Sequence, residues 1–194
     1  MVIRWAVLYM EHSLILGTHT CKGAVVKIYL SKAFDRISWM YLHMLLTHLG
    51  FQLDFINWVM GCLTSVSFDV LINGATSSFI QGQRGLRQGC PISPFLFLLA
   101  AEGLNQLLLE AKRKRDIKGL ELAVNLNITH LLFMDDILLF SNGRRSETKE
   151  LKRILDLFLK ATGIQVNKKK SQLLLEGFNK LEANQIKEDM PFEE

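Results

Sequence analysis

Two adjacent aspartates interrupt the apolar stretch Thr129–Phe140, which reads THLLFMDDILLF. Its flanking residues predict two buried strands joined by a turn at Asp135 and Asp136. Because unpaired carboxylates are costly in apolar surroundings, this pair needs a partner. Mg²⁺ would supply one, since it is typically bound through one or two carboxylates plus substrate phosphates. An ordinary Asp-Asp turn is the alternative, and the pair by itself does not separate the two.

Upstream of this stretch, the pattern predicts one strand, two helices and a hairpin. The run Gly23–Leu30 (GAVVKIYL) is typical of a buried strand. Ser38 and Gly50 have the residue types expected at the N-cap and just past the end of a helix. Asp54 is predicted to cap the next helix, whose apolar face would contain Phe55, Val59, Cys62 and Leu63. Alternating apolar residues around Asn73-Gly74 indicate a hairpin.

Further along the chain, Ser93-Pro94 is predicted to open a long helix that is apolar on all sides in its first turns and therefore buried. Ser146 is predicted to cap an amphipathic helix that ends at Gly163. A last hairpin is expected between Ile164–Val166 and Gln172–Leu175. This irregular order of strands and helices predicts an α+β fold rather than a doubly wound sheet.

Composition excludes several classes of protein. With 49% hydrophobic and 22% charged residues, the chain is neither disordered nor of low complexity. The three cysteines are widely spaced, which argues against a zinc finger or a disulfide scaffold and indicates a reducing compartment. No stretch approaches the roughly 18 apolar residues of a membrane helix, and a secretion signal is not expected. The predicted location is intracellular, either nuclear or cytoplasmic.

Positive charge is concentrated in one part of the chain. Residues 111–175 carry 14 Lys and Arg against seven Asp and Glu, and the basic run Lys112–Arg115 lies within them. Such clusters attract phosphate backbones, although a solvated helix end is an equally ordinary explanation. The predicted nucleic-acid-binding residues are Arg84, Arg87, Lys112, Arg113 and Arg115.

Four motifs in a fixed order carry a family resemblance. Phe133-Met134-Asp135-Asp136 resembles the catalytic Phe/Tyr-x-Asp-Asp box of reverse transcriptases. The segments Leu30–Trp39 (LSKAFDRISW), Arg84–Pro94 (RGLRQGCPISP) and Gly163–Ser171 (GIQVNKKKS) resemble the first, second and fourth palm motifs. Their order and spacing resemble the reverse transcriptase domain of LINE-type (non-LTR) retrotransposons over roughly residues 20–180.

This resemblance implies a right-hand polymerase palm with partial fingers and no thumb. It implies two-metal nucleotidyl transfer with Mg²⁺ or Mn²⁺, an RNA template, a DNA primer and a dNTP as partners, and no membrane. Asp135 and Asp136 match the metal ligands of the family, and Lys170 matches a basic residue that acts on pyrophosphate. The nucleotide-binding positions of the family correspond to Phe34, Gln88, Gly89 and Met134.

One position departs from the family pattern. The first motif supplies a metal-binding aspartate five residues before the aromatic residue at Phe34, and this chain has Tyr29 there. A phenol, with an ordinary pKa near 10, is a poor substitute for a carboxylate between two cations. No other aspartate or glutamate in the sequence is identified as a replacement metal ligand. Tyr29 is nevertheless expected to lie near Asp135, with strand Gly23–Leu30 beside the Thr129–Phe140 hairpin.

The prediction is therefore a poorly ordered segment at 1–20, a palm-and-fingers domain at 21–175 and an acidic tail at 176–194. The favoured function is a truncated, catalytically impaired reverse transcriptase domain, that is, a pseudoenzyme remnant of a retroelement. Two alternatives stay open: an active polymerase whose missing parts come from elsewhere, and a nucleic-acid-binding module without chemistry.

Overall fold

A computed structural model of the protein describes residues 22–123, 126–190 and 192. The segment 1–20 that was predicted to be poorly ordered lies outside these residues. The fold is a mixture of helices and strands, as the α+β prediction requires. In chain order the elements are β1 (Gly23–Ser31), α1 (Ala33–Arg36), α2 (Trp39–His48), α3 (Leu53–Thr64), β2 (Ser67–Phe68), β3 (Leu71–Ile72), β4 (Ala75–Thr76), β5 (Ile80–Gln81), α4 (Ser93–Arg113), β6 (Leu120–Ala123), β7 (Leu126–Ile128), β8 (His130–Phe133), β9 (Asp136–Ser141), α5 (Arg145–Thr162), β10 (Gln165–Val166), β11 (Gln172–Glu176) and α6 (Lys180–Asp189).

The chain divides into two compact units, each built from separate stretches of the sequence. The first unit comprises the described residues within Met1–Tyr29, Leu107–Ile154 and Val166–Glu194. The second comprises Leu30–Gln106 and Leu155–Gln165. The predicted catalytic pair Asp135 and Asp136 therefore belongs to the first unit, whereas the motif at Arg84–Pro94 belongs to the second.

The sheet of the first unit is organised around β1. This strand pairs antiparallel with β9 and with β11, which covers both of its edges. Consecutive residues from Gly23 to Val26 are all buried, so both of its faces are covered there as well. β9 pairs in turn with β8 to form the hairpin predicted around the two aspartates. The predicted proximity of β1 to this hairpin is confirmed, because Tyr29 lies directly opposite Asp136 across the β1–β9 ladder.

A cluster of apolar side chains packs on one face of this sheet. Val25, Leu138 and Phe140 are buried there against Leu120 of the β6–β7 hairpin. In an antiparallel pair, residues that lie opposite each other project to the same face, which is why Val25 and Phe140 meet. The same rule places Tyr29 and Asp136 together at the end of the ladder.

The predicted hairpin between Ile164–Val166 and Gln172–Leu175 is wrong. β10 and β11 both pair with β1 rather than with each other. The physical reason is that the intervening turn is bound to β1: Asn167 N donates to Tyr29 O over 2.8 Å, and Tyr29 N donates to the Ser171 hydroxyl over 3.0 Å. Pairing with the long apolar strand buries more surface than a two-stranded hairpin would.

The helices of the second unit follow the predicted pattern with changes at their starts. α2 has Ser38 as its N-cap, which accepts from Tyr41 N, and Gly50 follows the helix with a φ of 79°, both as predicted. The predicted cap Asp54 is wrong, because α3 begins at Leu53 with Gln52 at the N-cap and Asp54 lies in the first turn. Its buried residues are Ile56, Val59 and Leu63, whereas the predicted inward residue Cys62 is exposed.

The apolar start of α4 is not buried on all sides, contrary to the prediction. Leu96 and Phe97 are buried, but Phe95 and Leu98 are about half exposed or more. Ser93 does not act as a cap through its side chain; its hydroxyl donates to Arg87 O over 2.7 Å. Among the described residues, α4 is long and apolar enough to cross a bilayer by length and composition, a test that core helices of soluble proteins also pass.

The remaining predicted elements are present, with differences at their ends. The Asn73-Gly74 turn joins β3 to β4, and both residues have positive φ, as the hairpin prediction requires. α5 begins at Arg145, one residue before the predicted cap Ser146, and Gly163 follows it with a φ of 74°. The segment predicted as an acidic tail contains α6, whose capping box joins Asn179 and Glu182.

Candidate active site

The β8–β9 turn presents the two aspartates at the end of the first unit's sheet. Phe133 and Asp136 form the last ladder pair, so Met134 and Asp135 are the two turn residues and Asp136 opens β9. Both carboxylates are partly buried. The two acids thus differ in their local backbone. Asp135 lies in the turn, whereas Asp136 is the first residue of β9, which is hydrogen-bonded to β1.

Tyr29 fills the position at which the family pattern has a third carboxylate. Hydrogen bonding to Asp135 is the main reason why the pKa of Tyr29 lies above its usual value. The negative charges of Asp135 and then Asp136 act in the same direction. The arrangement keeps the phenol protonated, so its oxygen offers a hydrogen to the carboxylate rather than a charge to a cation.

Asp136 carries an orphaned buried atom. Its Oδ1 is buried without a hydrogen-bond partner among the described residues. Burial raises the pKa of Asp136, and the neighbouring charge of Lys27 acts in the opposite direction. A buried carboxylate oxygen without a donor is one of the exceptions that call for a functional explanation.

Lys170 is held over the ring of Tyr29. Its ammonium nitrogen lies 4.9 Å from the ring centroid, within the range of a cation–π contact. Ser171 makes this placement possible, because its hydroxyl accepts from Tyr29 N and donates to Asn167 O over 2.8 Å. The sequence interpretation did not single out Ser171 as a positioning residue, because the complete burial that distinguishes it is visible only in the structure.

A divalent-metal centre fits these residues only in part. The reverse transcriptase family is generally dependent on divalent metals, and the orphaned Oδ1 of Asp136 beside Asp135 suits a hard cation. The third donor is the neutral phenol of Tyr29. In the part of the chain that the structure describes, no group of three or more His, Cys, Asp or Glu side chains could hold a metal ion. The donor set therefore does not fit a two-metal centre.

The predicted nucleotide-binding residues Phe34, Gln88 and Gly89 lie in the second unit. Phe34 stacks on Phe97 with ring centroids 4.7 Å apart, which fixes the orientation of its ring. Gln88 Nε2 donates to Asp35 Oδ1 over 3.0 Å, and Gly89 adopts a φ of 81°. The structure thus brings Phe34 and Gln88 to neighbouring backbone segments, since Leu86 N donates to Phe34 O.

The predicted nucleic-acid-binding cations differ in their availability. Lys112 donates to Asn127 O over 2.8 Å and so has a structural contact, and Arg113 pairs with Glu110 on the same helix. Exposed ion pairs of this kind contribute little to stability, so the cation can readily exchange its acidic partner for another anion. Arg115 follows α4 with a φ of 66° and has no side-chain partner among the described residues.

Met134 is a strained residue at the tip of the turn, and this leads to a stability prediction. Its φ is 52°, a region that costs about 1 kcal/mol or more for a residue other than glycine. Because its side chain is exposed, Met134→Gly should raise the free energy of unfolding by up to about 1 kcal/mol in urea titrations. Met134→Ala, which keeps the strain, is the control. Equal stability of the two variants would contradict strain at this turn.

Comparison with known proteins agrees with the family resemblance that the four sequence motifs indicate. The reverse transcriptase (RNA-dependent DNA polymerase) family matches residues 9–188. The chain is 30% identical over 152 residues to the transposon TX1 149 kDa protein of Xenopus laevis, covering 78% of this chain and 11% of that protein. It is 30% identical over 148 residues to the Pol polyprotein of the retrotransposable element R2 of Popillia japonica, covering 76% of this chain and 20% of that protein.

A solved structure shows the same fold. Apo telomerase from Candida tropicalis superposes with a TM-score of 0.63 at 14% identity, over 92% of this chain and 35% of that chain. The present chain therefore spans only a fraction of the length of the TX1, R2 and telomerase proteins. The family match covers most of the chain and the named relatives are retrotransposon proteins, so this chain belongs to the reverse transcriptase family, as a domain of the LINE-type (non-LTR) retrotransposon class.

Proposed function

We propose that this chain is a reverse transcriptase domain that binds an RNA template and a DNA primer but has lost most of its nucleotidyl transfer activity. In this proposal the first unit supplies the palm around Asp135 and Asp136, and the second supplies part of the fingers. Within the second unit, Phe34, Gln88 and Gly89 are the proposed nucleotide-binding residues. Within the first, Met134 is proposed to bind nucleotide and Lys170 to neutralise pyrophosphate.

The position of Tyr29, opposite Asp136 in the β1–β9 ladder and where the family pattern has a carboxylate, carries the proposal of impaired catalysis. In a two-metal mechanism, cations activate the attacking hydroxyl and stabilise the leaving group, and carboxylates hold them in place. Here the neutral phenol of Tyr29 occupies the position of one of these carboxylates. Each 1.36 kcal/mol of lost transition-state stabilisation lowers the rate about tenfold. Loss of a carboxylate that holds the two cations should therefore remove detectable turnover.

The nucleic-acid-binding part of the proposal rests on exposed cations. Lys168 and Lys169 are exposed beside Lys170 and have no side-chain partner within the described residues, and the same holds for Arg115. Free cations on one unit attract phosphate groups without any need for base readout. This observation also favours a second candidate, a binding module that has no chemistry at all.

A combined binding and extension experiment tests both parts. The unaltered chain should bind a labelled primer–template, with a log–log salt slope of about −0.7 to −0.9 per phosphate contact. With dNTPs and Mg²⁺ or Mn²⁺, it should give no extended product on RNA or DNA templates. Arg115→Ala should make the slope shallower by about 0.7 to 0.9, the contribution of one phosphate contact. Arg153→Ala should change it less, because two hydrogen bonds hold the Arg153 guanidinium on Glu150.

Two results would contradict the proposal. Binding that is unchanged between low and physiological salt would refute an electrostatic origin. Robust primer extension that Asp135→Ala abolishes would show that the chain is an active polymerase in spite of Tyr29, which is the alternative of a working enzyme.

A further inference from the structure

An apolar hairpin extends from the second unit, and we call its residues 67–81 the hairpin arm. Within it β2 pairs with β5, β3 pairs with β4, and the Asn73-Gly74 turn forms the tip. Every residue of the hairpin arm is exposed except Ser77, which is half-buried. Six of the exposed residues are large and apolar, and each keeps between 47% and 79% of its surface in contact with solvent: Phe68, Val70, Leu71, Ile72, Phe79 and Ile80.

The exposed apolar area of the hairpin arm is as large as that of a protein interface. An aromatic side chain offers roughly 150–250 Å², so six large side chains that are about half exposed or more present on the order of 600 Å². The largest apolar patch of a typical monomer covers roughly 300–600 Å² and often marks an interaction site. Each partner in a standard interface buries about 800 Å². With its polar neighbours, the hairpin arm is therefore large enough to form one half of such an interface.

The charge of the hairpin arm favours a second copy of this chain as its partner. In a two-fold symmetric interface the same surface packs against itself, so any charge on it is duplicated and repelled. Residues 67–81 contain a single charged residue, Asp69, in a chain of which 22% is charged. A nearly uncharged apolar surface is complementary to itself, whereas a nucleic acid or a highly charged protein would find no opposite charge there.

The strand register places several of the apolar residues on one face of the hairpin arm. Phe68 lies opposite Ile80 across the β2–β5 ladder, so both project to the same face. Val70 and Ile72 follow Phe68 at alternate positions, which share a face in an extended strand. Because an isolated two-stranded hairpin is at best marginally stable in water, packing of this face against another copy would also stabilise the hairpin arm itself.

We propose that two copies of this chain associate through their hairpin arms, which pack face to face around a two-fold axis. Val70 and Ile72 lie near the centre of this interface. The inference is independent of the proposed function, because the hairpin arm contains none of the proposed nucleotide-binding or nucleic-acid-binding residues. The predicted cations Arg84 and Arg87 lie beyond its end, in the loop between β5 and α4.

Analytical ultracentrifugation of the full chain tests the association directly. The unaltered chain should sediment as a monomer–dimer equilibrium whose dimer fraction rises with concentration. Val70→Lys/Ile72→Lys places like charges across the two-fold axis and should weaken dimerisation at least about tenfold. Leu181→Lys is the matched control, because Leu181 is 76% exposed in α6, outside the hairpin arm, and its replacement should leave the dimer fraction unchanged. Circular dichroism checks that each variant is folded.

Disulfide cross-linking tests the symmetry of the interface. Residues near a two-fold axis lie close to the same residues of the second copy. In a Cys21→Ser/Cys62→Ser/Cys90→Ser background, Ile72→Cys should therefore form a covalent dimer under mild oxidation, whereas Leu181→Cys should not.

Three results would overturn the inference. A chain that remains monomeric up to about 0.1 mM would show that the hairpin arm is left to a partner of another kind. Dimerisation that Val70→Lys/Ile72→Lys leaves unchanged would assign the association to another surface. Equal cross-linking of the Ile72→Cys and Leu181→Cys variants would show that their contacts are random collisions.

Discussion

Tyr29→Asp should tighten Mn²⁺ binding at the Asp135–Asp136 turn by at least about tenfold, or 1.4 kcal/mol. The substitution replaces a neutral phenol with a third carboxylate, opposite Asp136 in the β1–β9 ladder. Without metal, three neighbouring carboxylates repel one another, so the variant should melt at a lower temperature than the unaltered chain in EDTA. Added Mn²⁺ should restore much of that loss.

Electron paramagnetic resonance of Mn²⁺ measures this affinity without reference to polymerase activity. Tyr29→Phe is the matched control, because it removes the hydroxyl donor and adds no ligand; it should bind Mn²⁺ far less tightly than Tyr29→Asp. Asp135→Asn in the Tyr29→Asp background should return binding to the level of the unaltered chain. If Tyr29→Asp and the unaltered chain bind Mn²⁺ equally, then position 29 has no influence on the metal affinity of this turn.

Gly119→Ala should lower the free energy of unfolding by about 3 kcal/mol. Gly119 has a φ of 78°, and a Cβ there would overlap the carbonyl oxygen of Ile128 in the β6–β7 hairpin. Its N–H donates to the buried Glu147 carboxylate over 2.7 Å, so a shift of the backbone to relieve the overlap would break that hydrogen bond. Loss of a donor to a buried carboxylate adds to the steric cost.

Gly50→Ala is the control for the conformational part of this effect. Gly50 has nearly the same φ, 79°, but no atom lies within 4 Å of a Cβ built there. It should cost only about 1 kcal/mol, as expected for a non-glycine residue in the left-handed region. Urea titrations of the two variants give the comparison. Equal losses of stability would show that the contact with Ile128 contributes nothing.

Local patterns predicted the elements whose form depends on neighbouring residues. The buried strand β1, the Ser38 cap of α2 and the Asn73-Gly74 turn all appear as expected. In each case the signal and the structure it specifies lie within a few residues. The Ser38 hydroxyl accepts from a backbone N–H three residues further along the chain, and Asn73 and Gly74 readily adopt the positive φ of the turn.

The errors concern properties that distant parts of the chain decide. The first turns of α4 are apolar all round, yet Phe95 and Leu98 are exposed, because burial depends on which other elements reach each face. β10 and β11 were expected to pair with each other, and β1 takes both instead. Periodicity within a segment carries no information about such competition between partners.

The sequence by itself determined the family of this protein and the identity of its unusual residue. Four motifs in order, with Tyr29 in place of a carboxylate, could be read without coordinates because residue identity and spacing are properties of the chain. Only the tertiary structure decided what Tyr29 does there. Tyr29 lies opposite Asp136, its ring contacts the Lys170 ammonium, and its N–H donates to the Ser171 hydroxyl. These contacts join segments more than 100 residues apart, and strand register and packing set them.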